Sequence, residues 1–229
     1  MTLVFGGPTW PIAWGVGYLA RPYDDVRTAL RDWLDELERR ARWTELAGDT
    51  LVDKLFRLAP IQAPWTRHLL VRTAGGWTAC FDNWLLGGDQ ASWVGYLSRR
   101  LDCEAVIAAH IPIGQYPYPA TQFELLGPRG KPPLRYLRTI SAGIFDEGRW
   151  RFDVSGEPQP FEQTERYTAR RIRDRFTRDM LVRYLAALGI GADESSFYND
   201  GVLVEELVSW KCRSMSIEEA RRAYAKTRG

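Results

Sequence analysis

HLLVRTAGGWTACFD, residues 68–82, is the stretch that decides the fold. Two short runs of β-branched, aromatic and aliphatic residues, HLLVRT (68–73) and WTACFD (77–82), flank Gly75-Gly76. Paired glycines supply the left-handed backbone that a tight hairpin turn needs, so the stretch reads as a β-hairpin. Alternation within the second run puts Thr78, Cys80 and Asp82 on one face and Trp77, Ala79 and Phe81 on the other.

Downstream, Asp89 can cap a helix whose inward face carries Trp93, Tyr96, Leu97 and Leu101. EAVIAAHI (104–111) reads as a buried strand and TQFELLG (121–127) as a one-sided one. IGQYPYPA between them is too rich in Pro and Tyr to be regular, and PRGKPP is expected to be a loop. LRYLRTISAGIFD (134–146) and RWRFDVSG (149–156), around Glu147-Gly148, predict a second hairpin.

Upstream, IAWGVGYL (12–19) fits a strand. Val26, Leu30, Trp33, Leu34 and Leu37 recur at three- and four-residue spacing, which predicts an amphipathic helix over 24–42. A shorter helix fits 50–58, and Pro60 and Pro64 stop it. In the last third Thr164 can cap a helix over ERYTARRIRDRF and Thr177 another over RDMLVRYLAALGI, with Gly189 or Gly191 after its end. VLVEELV (202–208) suits a strand or a short helix. Ser216 and Glu219 form a capping box for a final helix over 217–227. The order (helical 20–60, sheet-rich 66–156, helical 162–229) predicts one α+β domain over 1–229. Its antiparallel sheet would have about five to six strands, with helices packed on one face and helical N- and C-terminal segments.

Composition narrows the function. The 229 residues carry 31 basic and 29 acidic side chains, net +2, with a pI near 8.4. That near-balance is unlike a generic polyanion binder and unlike an acidic nucleic-acid mimic. Lysine occurs only at 54, 131, 211 and 226, so the cations are almost all arginine. Ten tryptophans stand against two histidines. Trp and Arg dominate protein interfaces, whereas catalysis leans on His. A GC-rich genome would enrich Trp and Arg too. Cys80, Cys103 and Cys212 lack CxxC spacing and predict neither a disulfide framework nor a zinc knuckle, which fits a reducing cytoplasm. The apolar N-terminus lacks a basic segment and is broken by Pro8 and Pro11, a poor signal peptide. No run reaches the roughly 18 apolar residues of a membrane span.

No reaction motif stands out. Cys80 needs a base, and His68 and His110 sit on other strands. The two histidines form no metal-binding pattern, so neither metal nor cofactor is expected. Asp82, Glu124, Asp146 and Asp153 lie on or beside strands with nothing to show that any two converge. LLGGDQASW brings Gly87-Gly88 to a helix start, where an anion could sit, although a tight turn explains it equally.

Two features favour recognition. Between 162 and 183 seven arginines face four acids. Arg166, Arg170 and Arg173 would share a helical face, suited to phosphates, to an acidic protein or simply to solvent. Trp33, Trp77 and Trp93 follow core periodicity. Trp10, Trp14, Trp65, Trp84, Tyr116 and Tyr118 sit in loops, where aromatics serve interfaces or fold back as plugs.

GGWTACFDNWLLGGDQASWVGYLSRRLDCEAVIAAHIP (75–112), TQFELLGP (121–128) and RTISAGIFDEGRWRFDVSGEPQPFE (138–162) resemble uncharacterised α+β proteins of GC-rich bacteria. These are similar in style to immunity proteins encoded beside polymorphic toxins, including Rhs and type VI secretion effectors. The resemblance spans roughly 65–205 and rests on hairpins and aromatic positions, so no functional residues carry over. It implies a cytoplasmic, non-enzymatic protein that blocks a cognate toxin's active site, with no membrane partner. Immunity proteins against nucleases are often acidic, so this charge would suit a toxin with a neutral or acidic active site. The residues chosen for partner contact are Trp84, Tyr116, Tyr118, Arg129 and Arg149, then Arg166, Arg170 and Arg173. The alternatives are a nucleic-acid-binding module using an Arg-rich helix, or an enzyme with an unrecognised site.

Overall fold

The hairpin is present and stands inside a much wider sheet. The computed structural model describes residues 3–145 and 148–226. In chain order the strands are β1 (Gly15–Leu19), β2 (Ala41–Leu46), β3 (Ile61–Ala63), β4 (Arg67–Thr73), β5 (Thr78–Asp82) and β6 (Ala105–Ile111). They continue with β7 (Ala120–Lys131), β8 (Tyr136–Ile144), β9 (Trp150–Gly156), β10 (Tyr198–Glu206) and β11 (Arg213–Met215). The helices are α1 (Tyr23–Glu36), α2 (Leu51–Phe56), α3 (Gln90–Arg100), α4 (Arg178–Ala187) and α5 (Ile217–Lys226).

The chain is α+β. Nine strands form one antiparallel sheet in the order β2-β10-β4-β5-β1-β6-β7-β8-β9, and β11 pairs with β3 separately. Nine exceeds the five to six expected. The sheet gains β2 where the predicted 24–42 helix was expected to end, and β10 where VLVEELV suits either a strand or a short helix.

Helices cover both faces, not one. Strand alternation divides the core: Val16, Leu69, Phe81, Val106 and Phe123 face one layer, while Leu70, Cys80, Ile107, Val202 and Val204 face the other. Helices α2, α4 and α5 cover the first face, and α1 and α3 the second. With apolar side chains on both sides, the central strands need cover on both sides. Gly17 lets α3 approach closely, since a Cβ there would lie 2.7 Å from Val94 Cγ2.

Helix α1 stops at Glu36, short of the expected 42, through a turn that uses no glycine. Glu38 takes the left-handed conformation (φ 53°), Glu38 N–H donates to Asp35 C=O, and Arg39 N–H donates to Leu34 C=O. Asp102 (φ 46°) ends α3 in the same way, and Gly189 (φ 79°) ends α4 as expected. These are Schellman ends, which satisfy the last orphan carbonyls. PRGKPP also differs, because β7 runs on to Lys131 and turns at Arg135 (φ 58°).

The helix expected after Thr164 is absent. Residues 157–177 form a strap with two 3-10 turns, Thr164–Thr168 and Ile172–Asp174, the second packed on β8 and β9. Thr177 does cap α4, accepting from Met180 N–H, and Ser216 and Glu219 exchange both bonds of the capping box. Asp146, Glu147 and position 227 lie outside the described residues. Among the described residues no helix is long and apolar enough to cross a membrane.

Candidate functional site

One sheet end gathers the most chemistry. The C-terminus of β6 and the N-terminus of β7 pair there, with His110 opposite Thr121. His110 Nδ1 and Thr121 Oγ1 share a hydrogen bond of 2.9 Å. The start of β9 brings Trp150, the end of the strap brings Arg173 and Asp174, and the start of α4 brings Arg178. Together they enclose a cleft of about 300 Å³ whose outer wall is Ile113. Burial, and secondarily the Arg178 charge, hold the His110 imidazole down to about 4, so it is neutral at physiological pH. One amino group of Arg178 reaches both carboxylate oxygens of Asp193 at 2.6 Å. Arg173 lies only 3.9 Å from its neighbour Asp174, both half-exposed.

The lining residue Ile113 is 65% exposed, and Tyr118, next to the lining residue Pro119, packs its ring against Tyr116 at 5.6 Å and is 45% exposed. The linker carrying them is fixed from behind. Gln115 Oε1 accepts from Trp14 Nε1 at 2.7 Å, and Gln115 Nε2 donates to Gly6 C=O at 3.2 Å. Tyr116 packs edge-on to Tyr224 at 5.3 Å and against Trp14 at 5.7 Å.

Of the residues chosen from sequence, Tyr118, Arg149 and Arg173 converge here: Tyr118 and Arg149 adjoin the lining residues Pro119 and Trp150, and Arg173 lines the cleft itself. Tyr116 is instead half-buried in the aromatic cluster, a plug more than a free contact. Trp84, half-buried after β5, forms a bridge with Gln62. Its strand end is separated from those of β6 and β7 by two to three strand spacings, roughly 10–15 Å. Arg129 lies near the other end of β7, roughly 30 Å from Ala120 at about 3.3 Å per residue. There its only ion-pair contact among the described residues is Glu104 at 3.8 Å. Arg166 and Arg170 are exposed on the strap and do not share a helical face with Arg173, because the strap is not an α-helix. Ile113 and Trp150 were not singled out from sequence. The run of apolar residues continuing past β6 into IPI was the available signal.

Trp14 is fully buried. Trp93 is core as its periodicity requires, and Trp33 and Trp77 pack at the core margin.

The other candidates are enclosed. Cys80 is buried, and burial pushes its thiol pKa up, away from a reactive thiolate. His68 Nε2 lies 2.9 Å from Glu206 Oε1, both side chains out of solvent, and Glu206 also takes Arg39 at 2.9 Å. Asp82 is buried and accepts the indole N–H of Trp93 at 2.9 Å and the backbone N–H groups of Trp84 and Asp89 at 3.0 Å. Burial raises its carboxyl pKa, and burial also raises that of Glu124. These two acids stand on β5 and β7 with β1 and β6 between them. In LLGGDQASW the side chain of the expected cap Asp89 accepts from Ser92 Oγ at 2.7 Å and from no backbone N–H of the helix. The anion at that turn is the protein's own Asp82, which binds Asp89 N–H. Among the described residues no group of three or more His, Cys, Asp and Glu could hold a metal ion.

No family model, curated protein or solved structure matches the chain.

Proposed function

We propose that the chain is a non-enzymatic binding protein, an immunity protein that neutralises a cognate bacterial toxin by covering its active site. The observation that carries this reading is the convergence of Ile113, Tyr118, Arg149, Trp150 and Arg173 at one sheet end. Aromatic and arginine side chains on a fixed framework are the usual anchors of protein interfaces. Their framework is rigid here, since sheet strands and the Trp14–Gln115 bond hold it. The enclosed positions of Cys80, His68 and Asp82 favour binding over thiol or paired-acid catalysis at those residues.

Exposed Arg166, Arg170, Arg171 and Arg173 are what favour the nucleic-acid reading. Against it, the expected Arg-rich helix is a strap of 3-10 turns, and acids Glu165 and Asp174 are interspersed.

Co-expression with the product of the neighbouring gene tests the proposal. A stable complex and relief of that product's toxicity are expected. Neither a complex nor rescue would sink it.

A further inference from the structure

We infer that the cleft beside His110 is a socket for one apolar side chain carried on an acidic segment of the partner. The inference rests on the reading of this chain as a binding protein and adds the chemistry of what it binds. Size comes first. At about 300 Å³ the cleft is at the bottom of the range for sites that enclose a whole ligand, roughly 300–1,000 Å³. One side chain fits it better than a cofactor does.

The walls choose the kind of side chain. Ile111, Ile113, Pro119, Ala120 and Trp150 present carbon to the cleft. The polar floor is the His110–Thr121 pair, already hydrogen-bonded and uncharged at neutral pH. Arg178 is engaged by Asp193, so its charge is compensated. An apolar or aromatic anchor therefore loses little on entering, and the charged lining residues Arg173 and Asp174 are left to the segment that carries it.

The surroundings choose the flanking charge. Arg149, Arg166, Arg170 and Arg171 are exposed and make no ion pair among the described residues. Arg173 reaches only Asp174, loosely. Carboxylates beside the anchor would find Arg149 next to the lining residue Trp150 and Arg173 on the lining itself, and over 162–183 seven arginines outnumber the four interspersed acids. A protein segment suits this mixture better than a nucleic acid. The 65%-exposed Ile113 on the lining offers an apolar contact that phosphate oxygens cannot use.

Binding of three probes at low and moderate salt tests the inference without the natural partner: a glutamate–tyrosine random copolymer, poly-glutamate and a thymidine 12-mer. The copolymer is expected to bind, more weakly as salt rises. Poly-glutamate, with charge and no anchor, and the 12-mer are each expected to bind at least about fivefold more weakly. Ile113→Asp and Arg173→Glu, both at exposed positions, should each weaken copolymer binding by at least about fivefold. Arg129→Glu, at the other end of β7, should change it less than about twofold. No copolymer binding, equal binding of poly-glutamate, tightest binding of the 12-mer, or indifference to Ile113→Asp and Arg173→Glu would each overturn the inference. A complex with the neighbouring gene product that survives both substitutions would leave the binding function standing and remove the socket from it.

Discussion

Arg138 on β8 and Glu162 at the start of the strap meet fork to fork, Nε to Oε1 at 2.9 Å and Nη2 to Oε2 at 2.7 Å. Their side chains are 4% and 0% exposed. The surrounding bonds complete the pair: Arg138 also donates to Gly156 C=O at 2.7 Å, and Glu162 accepts from Tyr167 Oη and Gln159 N–H, each at 2.8 Å. A stretch whose backbone bonds are few is thus held by side chains. Removing one partner leaves the other's charge buried and alone, which costs about 3–5 kcal/mol. Glu162→Gln and Arg138→Met should each destabilise the protein by that order in urea unfolding. Arg138→Met combined with Glu162→Gln should cost less than the two singles added. The singles should also speed tryptic cleavage at Arg166, Arg170, Arg171 and Arg173. Cleavage as slow as in the wild type would show that the pair does not hold the strap.

Gln115 does the same for the linker that carries Tyr118. Its acceptor is the partner of the Trp14 indole, which is 1% exposed. Gln115→Ala leaves that N–H unpaired inside the protein, a loss of about 1–3 kcal/mol. Gln115→Glu keeps the acceptor but sets a carboxylate oxygen in place of the donor against Gly6 C=O, so it should recover only part of that loss. Chemical denaturation of the two variants checks the order. Partner or copolymer affinity should fall more in Gln115→Ala, because a loosened linker must be ordered on binding.

Much of this architecture could be read from local chemistry. Gly75-Gly76 announced the β4–β5 hairpin, and Thr177 and Ser216 announced α4 and α5, because turns and caps are built from neighbouring residues. What escaped depends on distant ones. Glu38 and Asp102 adopt left-handed backbone without being glycine, so α1 looked longer than it is and β2 was hidden. The arginine spacing in 164–176 fits a helix, yet Arg138, the ring contact of Tyr167 with Phe152 and the hydrogen bond between the Tyr167 and Tyr184 hydroxyls hold that chain as a strap. The site was legible only in pieces. Tyr118, Arg149 and Arg173 were named separately, but β-sheet register brings them to one end, and the same register sends Arg129 to the other.

His110 makes the fold sensitive to acid. Its imidazole titrates at about 4 in the folded protein, against about 6.5 in an unfolded chain. The folded state therefore binds the proton less readily. The stability contributed by the neutral ring is intact above pH 6.5 and declines as pH falls towards 4, where the loss levels off. Its full size is roughly 3 kcal/mol. His110→Gln cannot titrate, so it should unfold with a shallower dependence between pH 6.5 and 4 than the wild type. Parallel curves for the two proteins across that interval would contradict the assignment.

Asp82 should also be costly to replace. Its two oxygens satisfy the Trp93 indole and two backbone N–H groups, Trp84 and Asp89, at the turn before α3. Trp93 is fully buried, so its N–H has no route to water. Asp82→Ala strands all three donors, and at about 1–3 kcal/mol for each unpaired group it should destabilise by at least about 3 kcal/mol. Asp82→Asn retains one acceptor oxygen but turns an amide towards the other donors, and should fall between Ala and wild type. The substitution also acts on the surface, since the loop that carries Trp84 begins at this carboxylate. In Asp82→Ala, hydrogen exchange at Trp84 and Asp89 N–H should quicken well before global unfolding. Unchanged protection there would mean that the turn is held by its glycines and not by Asp82.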